Sequence, residues 1–199
     1  YLIPSSLLQR FSSQAYIIIV SQVFGVSNAG QLNLYQRTIS TPVRVIGKAI
    51  ADTFKRYAAS SLKSQGECRS LYLITLFGAL TLSLPVFIVL NFYGIYFFEY
   101  VFGSQWTTAG EYAKTLSWVF LFSFSVYPIS NLILIGGFPR YHLFIQIYLS
   151  MAIVVALYIG WLNQSIFEFI RVYTLVYCIK YIFEAFICWR IASGTFYKY

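Results

Sequence analysis

Acid is scarce in this chain. Six Asp and Glu stand against fourteen Lys and Arg, with a single His, among 199 residues. General acid–base chemistry needs a carboxylate or imidazole poised beside the reacting group, and few are on offer. There is no nucleophile elbow, no phosphate-cradling glycine loop, no paired acidic motif and no His cluster, so the common hydrolytic and nucleotide-handling sites lack their residues. An enzyme is not expected, nor a cofactor or resident metal. Cys68, Cys178 and Cys188 are an odd number without metal-ligand spacing, which gives no disulfide framework. They read as small buried or lipid-facing hydrophobes. Charge of either sign is also low, at 10%, where a soluble domain carries about 25%.

Apolar residues fill the space that charge leaves. They make up 59% of the chain, its mean hydropathy is +0.69, and several runs approach the roughly 20 residues that cross a bilayer core. The expected fold is an all-α membrane protein, a single six-helix bundle over 1–199 with helices near 4–24, 31–62, 71–93, 111–135, 141–162 and 166–191. Gly25 to Gly30 reads as a turn, Gly94 to Gly110 as a Gly- and aromatic-rich linker, and Gly136-Gly137-Phe138-Pro139 as a stop. Pro42, Pro85 and Pro128 fall inside helices, the last as a kink, which membrane helices tolerate. Trp106, Trp118, Trp161, Tyr173 and Trp189 read as interfacial aromatics. The chain opens Tyr1-Leu2-Ile3-Pro4 without Met or a signal-peptide pattern, so more protein is expected upstream.

Loop charges set an orientation. Lys55, Arg56, Lys63 and Arg69 flank the second connection, Arg140 the fourth, and Arg190 and Lys198 the end of the chain. The turns around Gly25, Gly103 and Asn163 hold no Lys or Arg. By the positive-inside rule both ends of this segment are cytoplasmic.

The second helix is the anomaly. On a wheel of 100° per residue, Asn33, Arg37, Thr41, Arg44, Lys48 and Lys55 fall within about 40° of Arg37, with Asp52 at the edge. Tyr35, Ile39, Ile46, Ile50 and Tyr57 lie opposite. Counting from Ala29 at 1.5 Å per residue, Arg37 and Arg44 sit about 12 and 22 Å along the helix. Charges at such depth almost always face a bundle interior or a wet cavity, and the planar Arg fork suits phosphate oxygens. Arg10 adds a cation in the first helix. Two plainer readings stand beside this one: a helix lying flat at the interface, and pairing of Asp52 with Lys48 and Arg56 at i±4. Lys180 and Glu184, four apart in the sixth helix, read equally as a neutralising pair or an ion relay. His142 reads as an interfacial polar residue. Gln14, Gln22 and Gln146 could meet sugar hydroxyls or join helices.

Two stretches carry a resemblance. Phe24-Gly25-Val26-Ser27-Asn28-Ala29-Gly30 is followed by Leu34, Arg37, Thr38, Pro42, Ile46, Gly47, Ala49 and Ile50. Val101-Phe102-Gly103-Ser104-Gln105-Trp106-Thr107-Thr108-Ala109-Gly110 is followed by Leu116. In this order, with the Gly136–Arg140 turn after them, they resemble the C-terminal half of bacterial polysaccharide (O-antigen type) flippases of the multidrug/oligosaccharidyl-lipid/polysaccharide exporter superfamily. The resemblance implies one lobe of a two-lobed inner-membrane exporter, partnered by an N-terminal lobe of the same protein. It also implies export of an undecaprenyl-pyrophosphate-linked oligosaccharide by alternating access. Arg37, Arg44, Lys48, Arg10, Asn33 and Thr41 are the candidate cavity residues, chosen by position and charge, and Lys180, Glu184 and Asp52 the candidates for ion coupling. A peptidoglycan-precursor or multidrug exporter of the same superfamily is the alternative. A polymerase or ligase of lipid-linked sugars is a further one, although the longest non-cytoplasmic connection is short for it.

Overall fold

In the computed structural model, residues 17–194 are described, and among them every regular element is helical. In chain order these are α1 (17–24), α2 (Val26–Tyr35), a π-helical segment (Gln36–Ser40), α3 (Thr41–Gln65), α4 (Arg69–Phe102), a 3₁₀ turn (Ser104–Trp106), α5 (Thr107–Val126), α6 (Leu132–Ile135), α7 (Pro139–Leu162) and α8 (Ile166–Ala192). The expected first helix before residue 17, with Arg10 and Gln14, lies outside the described residues.

Among the described residues three helices, α4, α7 and α8, are long and apolar enough to cross a membrane. Their outer faces say why: α4 alone exposes Ile74, Phe77, Ile88, Phe92 and Tyr96, a contiguous apolar surface beyond what a soluble monomer shows to water. Inside, α4 packs along α5, α7 along α8 and α5 along α8. The α4–α5 seam is backbone against backbone, since a Cβ added at Gly110 would lie 2.5 Å from Ile95 Cα.

The connections sort onto two ends. At one end the Tyr112 hydroxyl donates to Asn28 Oδ1 at 2.9 Å, Gln31 bridges the Gln105 carbonyl and the Ala109 N–H, and the Tyr112 and Phe167 rings meet at 5.3 Å. The turns at Gly25, Gly103 and Asn163 therefore share that end. At the other, the Cys68 N–H donates to the Ala192 carbonyl at 2.9 Å, the Tyr72 hydroxyl to the Ala185 carbonyl, and the Arg69 guanidinium stands 4.7 Å over the Trp189 ring. Burial pushes the Cys68 thiol in this turn up to about 11, with the Glu67 carboxylate adding to it, so it stays neutral and unreactive near pH 7. The loops rich in Lys and Arg thus gather at one end and those without at the other.

Several boundaries differ from expectation. Gly25 to Gly30 is not a six-residue turn: Gly25 alone breaks the helix, at φ 90°, and α2 starts at Val26. The linker expected from Gly94 to Gly110 is mostly helix. α4 continues to Phe102 because Gly94 lies against Gly110 and lets the two backbones close up, and the chain turns only at Gly103, φ 98°. The helix expected over 111–135 starts earlier, at Thr107, and does not run through a kink. α5 stops at Val126, and tight turns from Tyr127 to Asn131, around a fully buried Pro128, lead to the short α6. The fifth and sixth helices agree with expectation to within two residues.

Candidate functional site

The second helix is not uniform. Pro42 has no N–H and its ring crowds the carbonyl four residues back, so the α-helical ladder cannot pass through it unchanged. The chain answers with one wide turn. The Thr41 N–H reaches the Gln36 carbonyl, five residues back, and the Thr41 hydroxyl donates to the same oxygen at 3.2 Å. Such π segments are rare and recur at functional sites.

The wide turn shifts the phase of everything after it. Before it, Ala29, Leu32, Tyr35 and Ile39 are buried; after it the buried set is Gly47, Ala51, Phe54, Ala58 and Leu62. A single wheel drawn over 31–62 therefore fails in its second half. Tyr35, Ile39, Ile46 and Tyr57 share one side of that wheel, yet Tyr35 and Ile39 are buried while Ile46 and Tyr57 are exposed. The helix nonetheless runs from the Asn28 end of the bundle to the Gly66 end, a path of about 60 Å at 1.5 Å per residue.

The cations of the stripe separate accordingly. Arg37, Lys48 and Lys55 are exposed on the outer face with Thr41, and Asn33 is half-buried. Arg44 is exposed too, but alone of the stripe it also borders an open cavity of about 400 Å³ between α2, the π segment, α3, α5, α7 and α8. Its Nη2 donates to Thr41 Oγ1 at 3.2 Å, so the residue that closes the π turn also holds the guanidinium. Asp52 is exposed, and among the described residues it forms no ion pair with Lys48 or Arg56; the expected i±4 pairing is absent.

Across the cavity stands α8. Lys180 lines it, with its Nζ 2.6 Å from Glu184 Oε2 and 3.8 Å over the Tyr181 ring. Glu184 is 4% exposed. The pair is a buried, mutually neutralising contact, so removing one partner would strand a charge in low dielectric. His142, on α7, is within electrostatic reach of both and is half-buried, its Nδ1 buried without a partner among the described residues. Asp52 does not join this group.

The rest of the lining was not anticipated. Tyr173, Tyr177 and Tyr181 repeat every four residues along α8, their ring centroids 4.4 and 6.1 Å apart in succession, and all three face the cavity with Tyr35. The spacing was visible in sequence, but a Tyr in a membrane helix reads first as an interfacial anchor. Tyr173 and Trp118 are instead set within their helices; Trp118 packs edge-on against Phe87 at 4.9 Å. Gln146, buried on α7, and Ser123, on α5, supply neutral hydrogen-bonding groups to the same space; Gln22 is exposed.

A concave chamber of this kind, walled by aromatics with a few polar groups and one unneutralised guanidinium, suits a ligand that combines a sugar-like ring with an anionic group. A family model described as polysaccharide biosynthesis protein matches residues 1–111, which takes in α2, α3, α4 and the start of α5 but not α8. No curated protein and no solved structure matches the chain.

Proposed function

The chain belongs to the polysaccharide biosynthesis protein family, and on that premise we propose that it is one six-span lobe of a two-lobed exporter that carries an undecaprenyl-pyrophosphate-linked oligosaccharide from the cytoplasmic to the periplasmic leaflet of a bacterial inner membrane. Family membership fits a role in polysaccharide export. The observation that carries the finer reading is Arg44, a cation with no acidic partner among the described residues, set in the wall of a tyrosine-lined cavity.

The chemistry follows from the wall. The guanidinium fork takes two oxygens of a diphosphate at once. Lys180 adds little net charge, because Glu184 stands 2.6 Å away. Tyr173, Tyr177 and Tyr181 offer ring faces against the apolar side of a pyranose, and Gln146 and Ser123 offer hydrogen bonds to its hydroxyls. The exposed Arg37 and Lys48 face outward, where the second lobe would stand and complete a larger cationic passage. The π turn beside Pro42 supplies a place where the helix can bend as the two lobes rock. The basic end of the bundle, with Lys63, Arg69, Arg140 and Arg190, lies in the cytoplasm on this reading.

The test is Arg44→Ala and Arg44→Lys in the intact protein, scored by surface polysaccharide and by the amount of protein in the membrane. A charge-assisted hydrogen bond contributes about 1.5–3 kcal/mol, so the Ala variant is expected to lower export roughly tenfold or more at unchanged protein level, with Lys retaining part of it. Undiminished export from Arg44→Ala would overturn the reading.

A further inference from the structure

On the other side of the α5–α8 seam lies a second concavity, an open groove of about 500 Å³ between α4, α5 and α8. It shares no residue with the Arg44 cavity. Two cations border it, Lys114 of α5 and Arg171 of α8. Lys114 is exposed and forms no ion pair among the described residues, although Glu111 stands one turn before it. Arg171 gives only Nη1 to Glu168, at 2.7 Å, and both side chains remain open. An exposed pair of that kind is weak, and the other guanidinium donors are free for a ligand.

The depth of the two cations is informative. The Tyr112–Phe167 contact puts the starts of α5 and α8 at the same end of the bundle. At 1.5 Å per residue, Lys114 is about 10 Å and Arg171 about 8 Å in from those starts. Long basic side chains at that depth lay their stems on apolar surface and send their heads toward the interface. This is also the end whose turns hold no Lys or Arg, so these two are not part of the cationic loops that set orientation.

The groove has a polar floor and an apolar tail. Thr174 is 8% exposed and its buried hydroxyl has no hydrogen-bond partner among the described residues, a polar group beside the groove that is left to be explained. Asn91 ties the wall together, donating to Ser117 Oγ at 3.1 Å. Deeper, Trp118 and Leu175 continue the groove with exposed apolar surface. Two cations at the interface, unsatisfied hydroxyl chemistry below them and an apolar track beyond match the order of groups in one molecule: a phosphate head followed by an acyl chain.

We infer that this groove is a binding site for an anionic glycerophospholipid of the surrounding leaflet, with its phosphate between Lys114 and Arg171 and an acyl chain along Trp118 and Leu175. The site is separate from the Arg44 cavity and does not depend on what that cavity carries.

The experiment is native mass spectrometry of the intact protein taken from nanodiscs of phosphatidylcholine alone or of phosphatidylcholine with phosphatidylglycerol. Wild type is expected to keep phosphatidylglycerol adducts through delipidation, with phosphatidylcholine lost. Lys114→Gln with Arg171→Gln is expected to lower that retention roughly tenfold, as loss of two charge-assisted contacts would, while Lys63→Gln at the far end leaves it unchanged. Trp118→Ala is expected to lower retention by a smaller factor. Lys114→Gln alone, at an exposed position, serves if the double variant is poorly folded. Equal retention of the two lipids, or retention unchanged in the Gln variants, would overturn the inference. So would displacement of the lipid by inorganic phosphate at an affinity that Trp118→Ala leaves unaltered, because the site would then take phosphate without a chain.

Discussion

The stretch from Val26 to Gln65 and the helix α4 invite comparison. Both are longer than the hydrocarbon core, at about 60 and 50 Å, and each contains a proline within its helical run, Pro42 and Pro85. They respond differently. α4 continues through Pro85 as one helix and turns apolar side chains outward along its length. The α2–α3 stretch breaks its ladder with a π turn before Pro42, and its outer face carries Arg37, Thr41, Lys48 and Asp52. The outer face of a helix reports the medium it meets. The face of α4 suits lipid, where an unpaired charge is costly; the cations of α2–α3 suit water, an anion or another polar surface.

The largest break in this contrast is expected at the inner seams. Gly110→Leu drives a side chain into the α4 backbone, 2.5 Å from Ile95 Cα, and should destabilise by about 3 kcal/mol or more, since overpacking against backbone cannot relax. Gly47→Ala in α3 meets only the Tyr127 ring, at 3.3 Å, and should cost about 1 kcal/mol or less. Thermal unfolding in detergent would rank the two.

The outer faces come next. Ile88→Arg on α4 should lower membrane insertion by about 2.5–3.5 kcal/mol if that face lies in lipid. Val45→Arg on α3, where Val45 is 68% exposed, should stay within about 0.5 kcal/mol. Equal penalties in an insertion assay would mean that both faces meet the same medium.

The prolines give a subtler test. Pro42→Ala restores the missing N–H and lets an α-helical ladder form, so the phase of α3 should turn and take Arg44 out of the cavity. Export should fall several-fold, and a spin-label distance between positions 27 and 60 should change by about one residue's rise, 1.5 Å, or more. Pro85→Ala should change neither. Smallest of all, Asp52→Asn should shift stability by no more than about 0.5 kcal/mol, because Asp52 is exposed and makes no ion pair with its i±4 neighbours.

Much of the helical plan was legible. The helices at 141–162 and 166–191 were bounded by Pro139 and the turn around Asn163, signals that act within a few residues and need no tertiary partner. The alternation of basic and non-basic turns also held, with the two kinds gathered at opposite ends. The stretch from Gly94 to Gly110 misled because glycines that would weaken an isolated helix are what allow α4 and α5 to touch. The site was legible only in part. Arg44 and Lys180 were both singled out, but by separate arguments and on helices that nothing in the sequence joins. The tyrosine ladder of α8 had a visible four-residue spacing, and its direction depended on which side α5 and α7 occupied.

Composition settled the solvent class of this protein, because the free energy of placing apolar surface in lipid is a sum over residues and hardly depends on how they pack. Local turn and cap signals settled most helix limits for the same reason: their physics is short-ranged. Which cation of the stripe enters the cavity was decided only in three dimensions. One wide turn before Pro42 rotates everything beyond it, and the packing of α3 against its neighbours then selects Arg44 and leaves Arg37 and Lys48 outside. A phase shift of one residue has no signature in composition, yet it determines which charge borders the cavity.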